Sequence, residues 1–321
     1  MVRGRDHEFD RPGTPVETDT VATVAGRPLT IPAAPPPQAP EEETRRPRGF
    51  GGVPRRISPN PLKPLDRGLT QTGEMLWLFL LVVKTAVLHP RGYWGDVRDQ
   101  MYSILRLCWV PMVISTFCFG FGAPGLQALN FFAIFGIPER LGSFFIMASV
   151  REFAPWINAM VVAGVVGTAI TADLGARRIR EEIDAMEVLG VDPLRTLVLP
   201  RIVALFFMTG LLDIVALLFG TLGGFVAAVG VGGATPAAFI DNFFDNATLP
   251  DLVGSVVKTA LFGLIIGVVC CYKGLRAEGG PAGVGRAVNQ AVVVAFAGIW
   301  IFNYVFTTIL LGLNPGMQVF K

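Results

Sequence analysis

Arg151, Glu152, Asp213 and Lys258 are ionisable side chains set within, or at the edges of, stretches apolar enough to lie in a membrane. Charge at such depth is costly, so residues that carry it are functional candidates by default, either contacting a substrate or pairing to hold helices together. Arg151 and Glu152 stand just before Pro155, at the expected outer end of one span. Lys258 lies a little below the outer entrance of another, and Asp213 lies near mid-depth in a third. Each has a structural reading as well: an ion pair for Arg151 and Glu152, snorkelling to the interface for Lys258, and a neutral, hydrogen-bonded carboxyl for Asp213.

A second group of charges follows a different pattern. In "REEIDAMEVLGVDPLR", Arg180 to Arg195, the apolar residues Ile183, Met186 and Leu189 recur at three-residue spacing, while Glu181, Glu182, Asp184 and Glu187 fill the remaining positions. The segment reads as a short, acidic, one-sided helix, with "VDP" as its stop because Pro193 disfavours helix at Asp192. Such a helix either offers its apolar ridge to a groove on a soluble partner whose basic rim its carboxylates select, or lies as a loop helix against the bilayer. Anionic lipid would repel its four acids, which weakens the second reading.

Catalytic chemistry has little to work with. Cys108, Cys118, Cys270 and Cys271 lie in apolar runs without histidine or carboxylate company, as buried small hydrophobes do, and no metal site is expected. His7 and His89 have no nucleophile beside them in sequence. "GGPAGVGRA", Gly279 to Ala287, has Gly285-Arg286-Ala287 where a phosphate-binding loop needs Gly-Lys-Ser/Thr, and no strand precedes it; it reads as a glycine-rich turn.

The elements that must position these residues follow from composition. The chain is 52% hydrophobic, yet 11 of its 27 basic and 9 of its 25 acidic residues fall in 1–67, together with 13 of the 24 prolines. That segment reads as a disordered, proline-rich cytoplasmic tail, and 68–321 as one membrane domain. A net charge of +2 is too small to argue for nucleic acid. No charged n-region with a short apolar core and cleavage site opens the chain, so insertion is expected to use internal spans.

A crossing needs roughly 20 apolar residues. Met75 to Leu88 is too short and contains Lys84, which suits an interfacial helix. Five spans are expected: within Leu107 to Ile137, which has length left over for a kinked or re-entrant portion, then Phe153 to Ala172, Ile202 to Val229, Leu252 to Tyr272 and Ala291 to Leu313. Arg177, Arg178, Arg180, Arg195 and Arg201 flank one loop, and Lys273, Arg276 and Arg286 another, whereas the loop between holds Asp241, Asp245 and Asp251 with no basic residue. The positive-inside rule puts the basic loops and the N-terminus in the cytoplasm and Lys321 outside. Gly220 and Gly224 in the third span, with Ala228 a further four residues on, and Gly263 and Gly267 in the fourth, are spaced for close helix approach, within the subunit or across a dimer interface.

"REFAPWINAMVVAGVVGTAITADLGARRIREEIDAMEVLGVDPLRTLVLPRIVA", Arg151 to Ala204, closely resembles the signature of the MlaE/YrbE family, permease subunits of lipid-transporting ABC systems. "CYKGLRAEGGPAGVGRAVNQAVVVAF", from Cys271, resembles the family's second cytoplasmic loop. "ADLGARRIREEIDAMEVLGVDP" and "NYVFTTILLGL" look most like the A-type YrbE subunit of actinobacterial Mce systems, in which an A-type and a B-type subunit pair.

The resemblance implies an all-α, polytopic inner-membrane permease subunit with an interfacial N-terminal helix, five transmembrane helices and a cytoplasmic coupling helix. The coupling helix would be Glu181, Glu182, Ile183, Asp184, Met186, Glu187 and Leu189, seated in a cleft of a separate ATPase. The implied partners are a second YrbE-type permease, a cytoplasmic ATPase dimer that binds ATP and Mg, extracytoplasmic Mce proteins and a lipid. No cofactor is implied for this chain itself. From their depth in the spans, Arg151, Glu152 and Lys258 are expected to form together the polar part of an outer-leaflet lipid entrance at the dimer centre, and their summed charge of +1 would favour a carboxylate or phosphate head group. Apolar walls would come from the first, second and fourth spans, with Asp213 further along the path. The alternatives are a secondary transporter of an amphipathic substrate, at which only Asp213 hints, and a membrane scaffold without transport.

Overall fold

Long runs of Leu, Val, Ile, Phe and Ala leave a backbone in lipid no hydrogen-bond partner but its own, and the helix is the local solution. The computed structural model describes residues 63–88 and 92–318, and every regular element in them is helical. Most of the expected tail, both histidines and Lys321 lie outside the described residues. Eight helices carry the argument: α1 Lys63–Leu88, α2 Trp94–Ile134, α3 Pro138–Ile179, α4 Glu182–Val188, α5 Leu194–Val231, α6 Pro236–Asn246, α7 Leu249–Leu275 and α8 Gly280–Leu313. Six of them are long and apolar enough to cross a membrane: α1, the four long helices α2, α3, α5 and α7, and α8.

The helices are longer than the apolar runs predict. At 41, 42 and 38 residues, α2, α3 and α5 would each span about 60 Å, twice the hydrocarbon core. Among the wide helical turns along them are Phe121–Gln127, Ile146–Phe153 and Leu194–Val198; others, at Ala163–Gly167 and Ala227–Val231, contain no proline. Phe121–Gln127 contains Pro124, and Ile146–Phe153 and Leu194–Val198 end just before Pro155 and Pro200. Proline lacks the N–H that an α-helical ladder requires, and a local change to wider winding lets the helix continue past it. The surplus length expected between Leu107 and Ile137 is therefore a widened turn inside a continuous helix. Arg151 and Glu152 lie well inside α3 for the same reason, whereas the sequence places them at the mouth of a span.

α5 is central, packed along α2 on one side and α7 on another, with α3 and α8 completing the bundle. Small residues make these contacts close, and all four glycines singled out face neighbours in the same chain. A side chain on Gly220 would meet Ser149 Oγ, one on Gly224 the Phe145 ring, one on Gly263 the Leu205 carbonyl, and one on Gly267 Ile202.

α1 begins at Lys63, inside the stretch assigned to the tail. Glu74, in its first half, bonds Arg276 at 2.8 Å and accepts from Tyr272 Oη, at the end of α7; Gly92, beyond its last turn, lies beside Arg195 at the start of α5. The middle of α1 and the residue Gly92 beyond it thus meet the same end of the bundle, a placement that suits an interfacial helix. Val82 is buried there, while Leu76, Trp77, Leu80 and Val87 face outward. At the opposite end α6 packs on the start of α3 through a small second core of Leu129, Leu141, Phe145, Ala228, Ala234 and Phe239.

Candidate functional site

Pro155 determines the geometry of the buried charges. The carbonyl four residues before a proline has lost its helical donor, and that carbonyl belongs to Arg151. Lys258 of α7 donates its ammonium to it. The same Nζ donates to Thr307 Oγ1 of α8 at 3.2 Å and stands 3.7 Å from Glu152 Oε1. Glu152 in turn accepts from Thr307 at 2.8 Å and from Asn303 Nδ2 at 2.6 Å. Arg151 Nε donates to Asp251 Oδ1 at 2.6 Å, and Asp251 Oδ2 accepts from the Thr248 backbone N–H at 2.9 Å and hydroxyl at 2.6 Å, forming the capping box that starts α7. Two cations and two carboxylates form one connected network among α3, α7 and α8.

The structure therefore brings Arg151, Glu152 and Lys258 together, but with a partner that sequence reading left among the loop acids. Asp251 makes the cluster neutral, which removes the +1 charge expected there. Lys258 is 2% exposed in its side chain and turns inward to Glu152, so it does not snorkel. Asp213, fully buried on α5, accepts from Ser255 Oγ of α7 at 2.6 Å, the inter-span hydrogen bond its neutral reading expects. Among the described residues, Asp213 Oδ1, Asn158 Oδ1 and Thr209 Oγ1 make no hydrogen bond. Next to this network, at the same end of the bundle, an apolar groove of about 340 Å³ runs between α5 and α6, walled by Leu218, Leu222, Phe225, Ile240 and Phe244 and bordered by Val150 and Leu252. Its walls are thus the second, third and fourth spans and the loop helix, whereas the first span was expected to contribute.

At the other end, α3 stops at Arg180, and Glu181 takes a left-handed conformation (φ 59°) that turns the chain into α4. Ile183 is buried against the end of α3 and Met186 is half-buried, so most of the apolar ridge anchors α4 to its own chain. The exposed apolar pair is Val188 and Leu189, at 88% and 78%. Val188 was missed because three-residue spacing selects Ile183, Met186 and Leu189. Of the four acids, Asp184 pairs with Arg178, and Glu182 with Arg180 at 2.7 Å and Arg177 at 3.6 Å. Glu181 and Glu187 are exposed and make no ion pair among the described residues. The Arg180 hydrogen bond holds the Glu182 carboxyl below the usual carboxylate range. This pairing is therefore present at neutral pH and lost only as pH falls through that lowered value.

α4 ends at Val188, and Gly190 closes it ahead of the expected "VDP". With Gly190 at φ 76°, Val191 N donates to Met186 O at 2.9 Å and Gly190 N to Glu187 O at 3.0 Å, a glycine-terminated helix end. Asp173 ties α4's surroundings to α5, accepting from Arg201 Nη2 at 2.5 Å and from Arg177 Nε at 3.2 Å. "GGPAGVGRA" is mostly helix: Gly279 and Gly280 make the turn and the rest forms the first turns of α8.

The family profile described as Permease MlaE matches residues 97–309, a segment holding α4 and the whole buried network. A probable ABC transporter permease protein of Rickettsia typhi is 29% identical over 240 residues, 75% of this chain and 92% of the relative. One of Rickettsia conorii is 30% identical over 230 residues, covering 72% and 88%. The chloroplastic protein TRIGALACTOSYLDIACYLGLYCEROL 1 of Arabidopsis thaliana is 31% identical over 183 residues, covering 57% of this chain and 52% of that protein.

Proposed function

Because the chain belongs to the MlaE permease family and is a membrane-spanning ABC transporter permease subunit, we propose that it passes lipids between its membrane and an extracytoplasmic lipid-binding assembly of the Mce type. The observation that carries the lipid reading is the apolar groove at the end of the bundle opposite α4, bordered by residues adjacent to the Arg151 and Asp251 pair. A plant relative whose name is that of a galactolipid supports it. The transporter comprises this chain, a second YrbE-type permease and two ATPase subunits that bind ATP and Mg. The membrane is the inner one. The arginine-flanked α4 loop and the N-terminus face the cytoplasm, and the C-terminus faces outward.

In this mechanism α4 is the coupling helix. Closure of the ATPase dimer displaces α4, and Ile183 with the arginine pairs transmits that displacement to the end of α3. Asp173 and Arg201 carry it to α5. α3 is one 42-residue helix, so its far half, with Arg151 and Glu152, moves against α7 and α8. The buried network then acts as a latch on the lipid path, closed in this conformation and parted when α3 shifts. In vesicles holding the assembled complex, a labelled lipid is expected to move only while ATP is hydrolysed. Equal movement with a non-hydrolysable ATP analogue would overturn the reading.

The orientation has its own test. With the exposed Cys118 replaced by alanine, Glu187→Cys is expected to react with an impermeant maleimide only from the cytoplasmic side and Asp241→Cys only from outside. Labelling of both from one side would contradict this arrangement.

A further inference from the structure

Of the three buried cations among the described residues, Arg201 faces Asp173 at 2.5 Å and Lys258 faces Glu152 at 3.7 Å. Lys273, only 7% exposed, has no carboxylate within ion-pairing distance among those residues. Its ammonium donates to two neutral amide oxygens, Gln71 Oε1 of α1 at 3.1 Å and Gln290 Oε1 of α8 at 3.3 Å. A buried charge without a counter-charge is costly. Lys273 also lines a cleft of about 490 Å³ between α1, the end of α7 and the start of α8, a size typical of ligand sites.

The other charges of the cleft leave it net positive. Glu74 and Arg276 cancel at 2.8 Å, which leaves Lys273 and Arg286 against Glu278. Arg286 is exposed and makes no ion pair among the described residues. The wall formed by α1 turns Leu76, Trp77 and Leu80 outward, as a helix in the membrane surface does, so the cleft opens at head-group level. Basic pockets between membrane helices at that level suit anionic lipid head groups.

We propose that this cleft binds the phosphate of an anionic phospholipid from the leaflet at the α4 end, with Lys273 and Arg286 as its cationic contacts. The site lies at the opposite end of the bundle from the buried network and does not depend on which lipid, if any, is transported. Occupancy would fix α1 to the corner formed by α7 and α8.

The test is native mass spectrometry of the full-length chain in detergent, incubated with equal amounts of phosphatidylglycerol and phosphatidylcholine. The wild type is expected to retain phosphatidylglycerol preferentially. Arg286→Gln and Lys273→Met are each expected to reduce that retention about fivefold, the factor for roughly one basic contact at a membrane surface. Glu278→Gln is expected to raise it. Arg286 and Glu278 are exposed, so both variants fold even if Lys273→Met does not. Equal retention of the two lipids, or unchanged retention in Arg286→Gln and Glu278→Gln, would overturn the proposal. Displacement of the lipid by millimolar inorganic phosphate alone would show a free-phosphate site and overturn it too.

Discussion

Lys258→Met is expected to destabilise the folded chain by about 3–5 kcal/mol, the usual loss when one member of a buried ion pair is removed. The lysine serves two groups at once. One is the Arg151 carbonyl, orphaned by Pro155; the other is the Glu152 carboxylate, which would keep only the neutral donors Thr307 and Asn303. The stranded carboxylate is the larger liability, so the double variant Lys258→Met with Glu152→Gln should recover most of the loss. Thermal unfolding in detergent, followed by size-exclusion chromatography after heating, measures both. A single variant as stable as the wild type would mean that the lysine does not hold α3 to α7. Failure of the double variant to recover would mean that the carboxylate is not what the lysine serves.

Val188→Asp together with Leu189→Asp is expected to weaken association with the ATPase at least a hundredfold while leaving insertion and stability unchanged. A few central residues of an interface each cost about 2 kcal/mol or more when lost, and here the larger effect comes from the two carboxylates, which add the penalty of burying unpaired charge in an apolar contact. Stability should hold because both side chains lie free of the rest of the chain. Ile183→Asp is the contrasting control, since Ile183 is buried and its loss should detach α4 from α3. Glu182→Lys is less informative, because Glu182 is engaged with Arg180 and Arg177 and its replacement disturbs the chain's own contacts. Capture of the ATPase at wild-type levels by the Val188 and Leu189 variant would remove this face from the interface.

The order of the helices was legible because each apolar run is long and the charges between them are not evenly shared. Their lengths were not, since hydropathy ends at Arg151 and Pro155 whereas the helix passes both by widening one turn. The ionisable candidates could be found by their surroundings, but their partners could not. By its acidic neighbours Asp251 reads as a loop acid, although Thr248-x-x-Asp251 before an apolar run is the spacing of a capping box and places it at the start of α7. In α4 the periodicity identified a one-sided helix correctly but not which neighbour its apolar side meets. Ile183 faces the end of α3, a contact made only once the chain has turned at Glu181. Gly190, a glycine directly after the last periodic residue, is a better stop signal than Pro193 and marks the observed end.

If α4 is the point where ATP hydrolysis reaches the membrane helices, a photo-crosslinking residue in place of Leu189 tests this most directly. In the intact complex purified from membranes, irradiation should join this chain to the ATPase subunit, in a yield that changes when ATP is bound. An ATPase that copurifies yet never crosslinks at this position, while the probe reacts only with lipid or with this chain itself, would contradict the account.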